Sequence, residues 1–250
     1  MPSTVPEILF YLESKGSPRN VAGMARYGIV SVKAYGAPSL VITDLARSLG
    51  KNHGLARDLW KTGIFDARIL AAFVEVPDRV TEPQMERWVL DFDNWAICDG
   101  VCLHLFDKTP HAYAKAFTWS ARQEEFVRRA GLVLMAVLAV HDKKAPDDVF
   151  RKFLGIIKMR ATDERNFVKK AVNWALRQIG KRNLTLNRAA IAAAREIARR
   201  ESPAARWIAR DALRELESAA VQRRLRAKAK GHTATFGRST GGARRTRIVH

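Results

Sequence analysis

Trp95 and Asp99 stand four residues apart in DFDNWAICDG, residues 91–100. Four residues is about one helical turn, so in a helix both side chains share a face. Trp88 and Phe92 before them, and Cys102 and Phe106 after them, fall on that face too, and Asp93 or Asn94 is placed to cap the helix that carries Trp95 and Asp99. A carboxylate in an aromatic stripe is costly unless it has a partner or a task. Two later stretches carry further candidates. In EEFVRRAGLVLMAVLAV the apolar stripe is Phe126, Ala130, Val133 and Val137. Arg128 points away from this stripe, and Arg129 sits on its flank, placed to pair with Asp99 or to clamp a phosphate. In ERNFVKKAVNWALRQIGK the stripe is Val168, Val172, Ala175 and Ile179, and Trp174 lies off it beside Lys170, Arg177 and Lys181. An aromatic among cations suits packing under a neighbouring helix, or a nucleic-acid groove in which cations hold phosphates and the ring meets a sugar or base. A carboxylate, two indoles and a guanidinium together suit a reacting centre that carries positive charge beside a phosphodiester. Indole faces attract cations, and a carboxylate stabilises a developing oxocarbenium ion. No second carboxylic acid is needed when the leaving base is already cationic, as an alkylated purine is, because it departs neutral.

The rest of the composition agrees with such a partner. The chain has 250 residues, 47% of them hydrophobic, with a net charge of +19 and a pI near 10.6. It can bury a core, and its charge points to polyanions. Cys98 and Cys102 are the only cysteines, one turn apart in an apolar run. This argues against a disulfide framework and for a reduced, cytoplasmic setting. Zinc ligation by Cys98, Cys102, His104 and His111 is the weaker reading, because the pattern around them is continuous helix rather than zinc-binding turns. MPSTVPEILFYLESKG lacks a basic leader region, and the longest apolar run, Ala130 to Val140, is too short to span a bilayer.

Helical periodicity runs through almost every segment, and no stretch alternates like a strand for long. The helices are short and separated by breakers, with Pro83, Pro146 and Pro203 where helices would start. Helix pairs joined by short turns predict an all-α fold, an α-solenoid of HEAT-like repeats with a concave basic groove, against the alternative of an irregular helical bundle. No strict period is visible, only recurring phrases such as LARDLW, FDARILAA and VKKAVNWAL. The boundary falls near Lys228. Residues 1–227 read as the helical repeat domain, and 228–250, rich in Gly, Ser, Thr and Arg, as a disordered basic tail that touches phosphates or merely stays solvated.

In NWAICD (94–99), VRRAGLVL (127–134) and FVKKAVNWALRQIGK (167–181), supported by LWKTGIFDARILA (59–71) and MARY (24–27), the chain resembles the AlkD-type alkylpurine DNA glycosylases, DNA-alkylation-repair proteins built from HEAT-like repeats. The resemblance covers the first helix to about residue 215. It implies that Asp99 is the catalytic aspartate, that Trp95 and Trp174 are the pocket tryptophans, that Arg129 is the active-site arginine with Arg128 its neighbour in the alignment, and that Tyr27 is the pocket tyrosine. It also implies excision of cationic N3- and N7-alkylpurines from duplex DNA without a base-flipping pocket, by a monomer with no metal or organic cofactor. The chain departs from the family pattern at Asn94, where relatives often carry a second aromatic, and at Cys98 and Gly100 beside the aspartate. Two other uses of the same fold stay open. A non-catalytic HEAT-repeat protein that binds damaged or branched DNA would need the charge but not Asp99. A protein–protein scaffold would need neither.

Overall fold

The computed structural model describes residues 2–31 and 33–237, with side chains as far as residue 230. Fourteen α-helices make up the described residues, and no strand occurs among them. They are α1 (Val5–Lys15), α2 (Pro18–Arg26), α3 (Ser39–Leu49), α4 (His53–Lys61), α5 (Phe65–Val74), α6 (Glu82–Leu90) and α7 (Trp95–His104). The second half holds α8 (Ala112–Ser120), α9 (Glu125–His141), α10 (Asp147–Arg160), α11 (Asn166–Gly180), α12 (Leu184–Ala198), α13 (Pro203–Leu216) and α14 (Ala219–Gly237). Local chemistry sets the starts. Thr81, Asn94, Asn183 and Ser202 each accept a hydrogen bond from a backbone N–H of the first turn they precede. Pro83 and Pro203 occupy first-turn positions, where no amide partner is lost.

The helices stack in two layers. In one, α3 packs on α5, α5 on α7, α7 on α9, α9 on α11 and α11 on α13. The even-numbered helices form the other, with α8 against α10, α10 against α12 and α12 against α14. Antiparallel hairpins such as α4–α5, α8–α9 and α12–α13 tie the layers together. This is the solenoid expected from the sequence. Every residue expected to react or to bind DNA, beyond Tyr27, lies on α7, α9 or α11, or in the turn that follows α11, consecutive rungs of one layer.

The centre is α9, which touches α6, α7, α8, α10 and α11 and is buried from Val127 to Ala139. A helix enclosed on all sides has no solvent face, so the outward direction expected for Arg128 does not exist. Gly131 is required here. A Cβ at this position would lie 2.3 Å from the backbone nitrogen of Ser120 on α8, so only glycine allows the two backbones to meet.

Two expectations change. Asn94 is the N-cap, one of the two residues expected to cap the helix of Asp99, but the face expected to include Trp88 and Phe92 does not reach back to them: α6 ends at Leu90 and α7 begins at Trp95. Trp88 and Phe92 therefore belong to the core, where Trp88 stacks on Trp60 at 4.0 Å and Phe92 lies against Phe106. The boundary near Lys228 is not a helix end either. Leu225 is the last buried residue among those whose side chains are described, but α14 carries on to Gly237, because AVQRRLRAKAK is rich in strong helix formers. Residues 238–250, the remainder of the expected tail, lie outside the described residues. Cys98 and Cys102 are buried, and their thiols point at the carbonyls of Phe126 and Ala130 on α9. Among the described residues, no His, Cys, Asp and Glu side chains group in a way that could hold a metal ion, and no helix is long and apolar enough to cross a membrane.

Candidate active site

The Asn94 side chain accepts from the amides of Ala96 and Ile97, which fixes the first turn of α7 and sets Trp95 and Asp99 on one side of it. Across the layer, Arg129 of α9 meets Asp99 with both arms of its fork. Nε donates to Oδ1 at 2.9 Å, and the second terminal nitrogen donates to Oδ2 at 2.7 Å. The third arm donates to the backbone carbonyl of Phe167, in the first turn of α11. One guanidinium thus joins three consecutive rungs. Its side chain is only 7% exposed, whereas that of Asp99 is 20% exposed. The carboxylate, not the arginine, is the part of the pair that faces out. Each carboxylate oxygen has two acceptor sites and Arg129 takes one, so half of the acceptor capacity of Asp99 remains. Burial pushes the Asp99 carboxyl up, and the Arg129 charge and hydrogen bonds pull it back without cancelling that rise. Burial opposes the Arg129 charge as well, but the Asp99 carboxylate outweighs it and holds the guanidinium above its ordinary value.

Aromatic residues stand on the same elements as the pair. Trp95 is half-buried, and its indole N–H donates to the carbonyl of Tyr27 at 2.8 Å, across 68 positions of sequence. Tyr27 is the C-cap of α2 and is 75% exposed. Gly28 follows with φ of +74°, a turn that glycine favours, and its Cα side lies against the Phe167 ring. Phe167 in turn leans on Phe126, ring centres 5.4 Å apart. The end of α2 therefore closes over the first turns of both α7 and α11, with the Asp99–Arg129 pair in the same set of rungs. Trp174 is half-buried on the face of α11 that bears Phe167, two turns further along, or roughly 10 Å.

Trp95 bonds to the Tyr27 turn and Asp99 to Arg129, Phe167 connects the two pairs, and Trp174 shares a helix face with Phe167. Arg129 takes the first of its two expected roles, the pair with Asp99, and three other cations differ from expectation. Arg129 is not placed on a phosphate, because all three arms are spent within the fold. Arg128 is not an outward DNA contact: it is buried, pairs with Asp163 at 2.7 Å and reaches Gln123. Burial pushes the Asp163 carboxyl up, but hydrogen bonds from Arg165 and Arg128 hold it down at about 2. Arg177 and Lys181 both bind Glu215 at 2.6 Å and so tie α11 to α13 instead of lining a groove. Lys170 is exposed, with no ion pair among the described residues. Phe167 and Gly28 escaped the sequence reading, although Phe167 stands seven residues before Trp174 and so on its face, and a glycine directly after Tyr27 marks a tight turn.

The family model described as DNA alkylation repair enzyme matches residues 8–216. The chain belongs to this family. The matched span opens in α1, closes at the end of α13 and contains every residue of the site. A solved structure described as a new family of proteins related to the HEAT-like repeat DNA glycosylases, with affinity for branched DNA structures, superposes with a TM-score of 0.70 at 20% identity. It covers 84% of this chain and 94% of its own, which shows that the family member described here has the HEAT-like repeat fold. No curated protein sequence matches this one.

Proposed function

We propose that the protein is a DNA glycosylase that releases cationic N3- and N7-alkylated purines, such as 3-methyladenine and 7-methylguanine, from duplex DNA. One observation carries this reading: a partly exposed carboxylate, held by a buried bidentate arginine, one helical turn from Trp95 on the same side of α7. In the reaction the bond between C1′ and the purine nitrogen breaks and its electron pair leaves with the base. The base starts cationic, so it departs neutral and needs no acid. Positive charge builds on the deoxyribose, where the free acceptor positions of Asp99 and the face of Trp95 stabilise it. Water then adds to C1′, and its proton passes to solvent or to the Asp99 carboxylate. Arg129 acts through Asp99: it fixes the carboxylate and favours the ionised form against burial.

Membership of a DNA alkylation repair family supports this reading, as does a net charge of +19 on a chain whose solenoid fold offers a polymer an extended surface. A second reading, a protein that binds damaged or branched DNA without cutting, is favoured by the Asp99–Arg129 pair itself, which also works as a clip between three helices, and by the affinity described for the structural neighbour. Incubation with methylated duplex DNA separates the two. Release of 3-methyladenine and 7-methylguanine by the wild type and not by Asp99→Asn supports the glycosylase. Tight binding with no base released supports the second reading and overturns the first.

A further inference from the structure

One strongly basic feature lies outside the site. A notch of about 390 Å³ opens where the loops before α9 and α11 meet the end of α10. Three arginines line it, Arg128, Arg160 and Arg165, against one lining carboxylate, Asp163. That carboxylate is saturated: Arg165 holds it with two nitrogens, Arg128 with one, and the Arg165 amide with a fourth bond. The last arm of Arg165 goes to the Gln123 carbonyl. Arg160 is left over. Its side chain makes no hydrogen bond or ion pair among the described residues, and its Nε is buried without an acceptor, as is the Nε of Arg128, whose side chain is nine-tenths buried. Buried guanidinium donors without acceptors are costly, and two uncompensated charges in one notch repel. Burial and then Arg128 push the Arg160 guanidinium below its ordinary value, with Asp163 opposing them. The N-terminal ends of α9 and α11 add positive potential, and the C-terminal end of α10 offsets part of it. Glu125 is a further carboxylate that acts on Arg165.

We propose that this notch holds a backbone phosphate of the bound duplex, gripped by the free fork of Arg160. The proposal rests on DNA being the substrate. A small oxyanion supplies what the notch lacks, acceptors and negative charge. The Arg fork matches its geometry, and the Met159 side chain, 58% exposed at the rim, allows a sugar–phosphate chain to pass.

The test uses the full chain and unmodified duplex, so it does not depend on base release. Affinity is measured against salt for the wild type, Arg160→Gln and Arg160→Lys. Arg160→Gln should weaken binding roughly tenfold at low salt and lower the slope of log affinity against log salt by about 0.9, and Arg160→Lys should restore the slope. Duplexes with a single neutral methylphosphonate, moved along each strand, should reveal one position at which wild-type affinity falls and Arg160→Gln shows no further loss. An unchanged slope, or no such position, overturns the proposal even if alkylated bases are released. Melting of the variants should match or exceed the wild type, because Arg160 bonds to nothing in the fold; a collapse on melting would make it a structural group and overturn the proposal. Competition by inorganic phosphate at fixed ionic strength, with no methylphosphonate-sensitive position, would assign the notch to a small anion and overturn it as well.

Discussion

Asp99→Asn separates the chemical role of the carboxylate from its structural one, and the structure gives both magnitudes. The amide keeps the shape but removes the charge that would face the sugar. Removing one preorganised electrostatic contact of this kind costs about 10²–10³ in rate. The same change also leaves Arg129 without its counter-charge. The Arg129 side chain is 7% exposed, and the asparagine turns an NH₂ toward one of the two guanidinium donors it replaced as acceptor. Leaving a buried charge unpaired typically costs about 3–5 kcal/mol. The partial exposure of Asp99 and the surviving bond to the Phe167 carbonyl favour the lower end. At about 2–4 °C per kcal/mol for a domain of this size, the melting temperature should fall by roughly 6–12 °C. The assay is single-turnover base release from methylated duplex at saturating enzyme, well below the lowered melting point, with a melting curve alongside. A rate loss of two to three orders of magnitude in folded protein fits the catalytic role. A wild-type rate from a folded but destabilised variant would refute it and leave Asp99 as the clip alone.

Three further outcomes follow from the same geometry. Burial raises the Asp99 carboxyl above its ordinary value and the carboxylate is the active form, so base release should fall as pH drops through a midpoint above about 3.9, read from the pH profile of the single-turnover rate. Asp163 is shifted the other way, to about 2, so its pairing with Arg128 and Arg165 adds stability that is fully present above its unfolded value of about 3.9 and lost as pH falls toward 2; melting curves of Asp163→Asn should lose that part of the acid dependence. Gly131→Ala should destabilise by about 1–3 kcal/mol, seen in chemical denaturation, since its Cβ would meet the α8 backbone at 2.3 Å.

How much of this was legible in the sequence depended on whether a signal was local. The layer of α7, α9 and α11 could be read because each helix carries its own apolar period and its own cap or breaker. The repeat could not be measured, because the rungs are uneven: α5, α7 and α9 begin at residues 65, 95 and 125, but α11 and α13 begin at 166 and 203. The pairing of Arg129 with Asp99 was within reach as one of two options, since a charge on a helix flank must find either a partner or a ligand. The roles of the other cations were not. Arg128, Arg177 and Lys181 look free in a helical projection, and what binds them, Asp163 in a turn and Glu215 on the next rung, is set by how far adjacent rungs are offset. Net charge misleads in the same way. An excess of +19 states how many cations lack acids over the whole chain but not which ones. A cation of this fold is free for phosphate only where the neighbouring rung supplies no carboxylate at its height. Lys170 and Arg160 meet that condition and three of the more conspicuous cations do not, so a polyanion would be gripped beside the Asp99–Arg129 clip rather than by it.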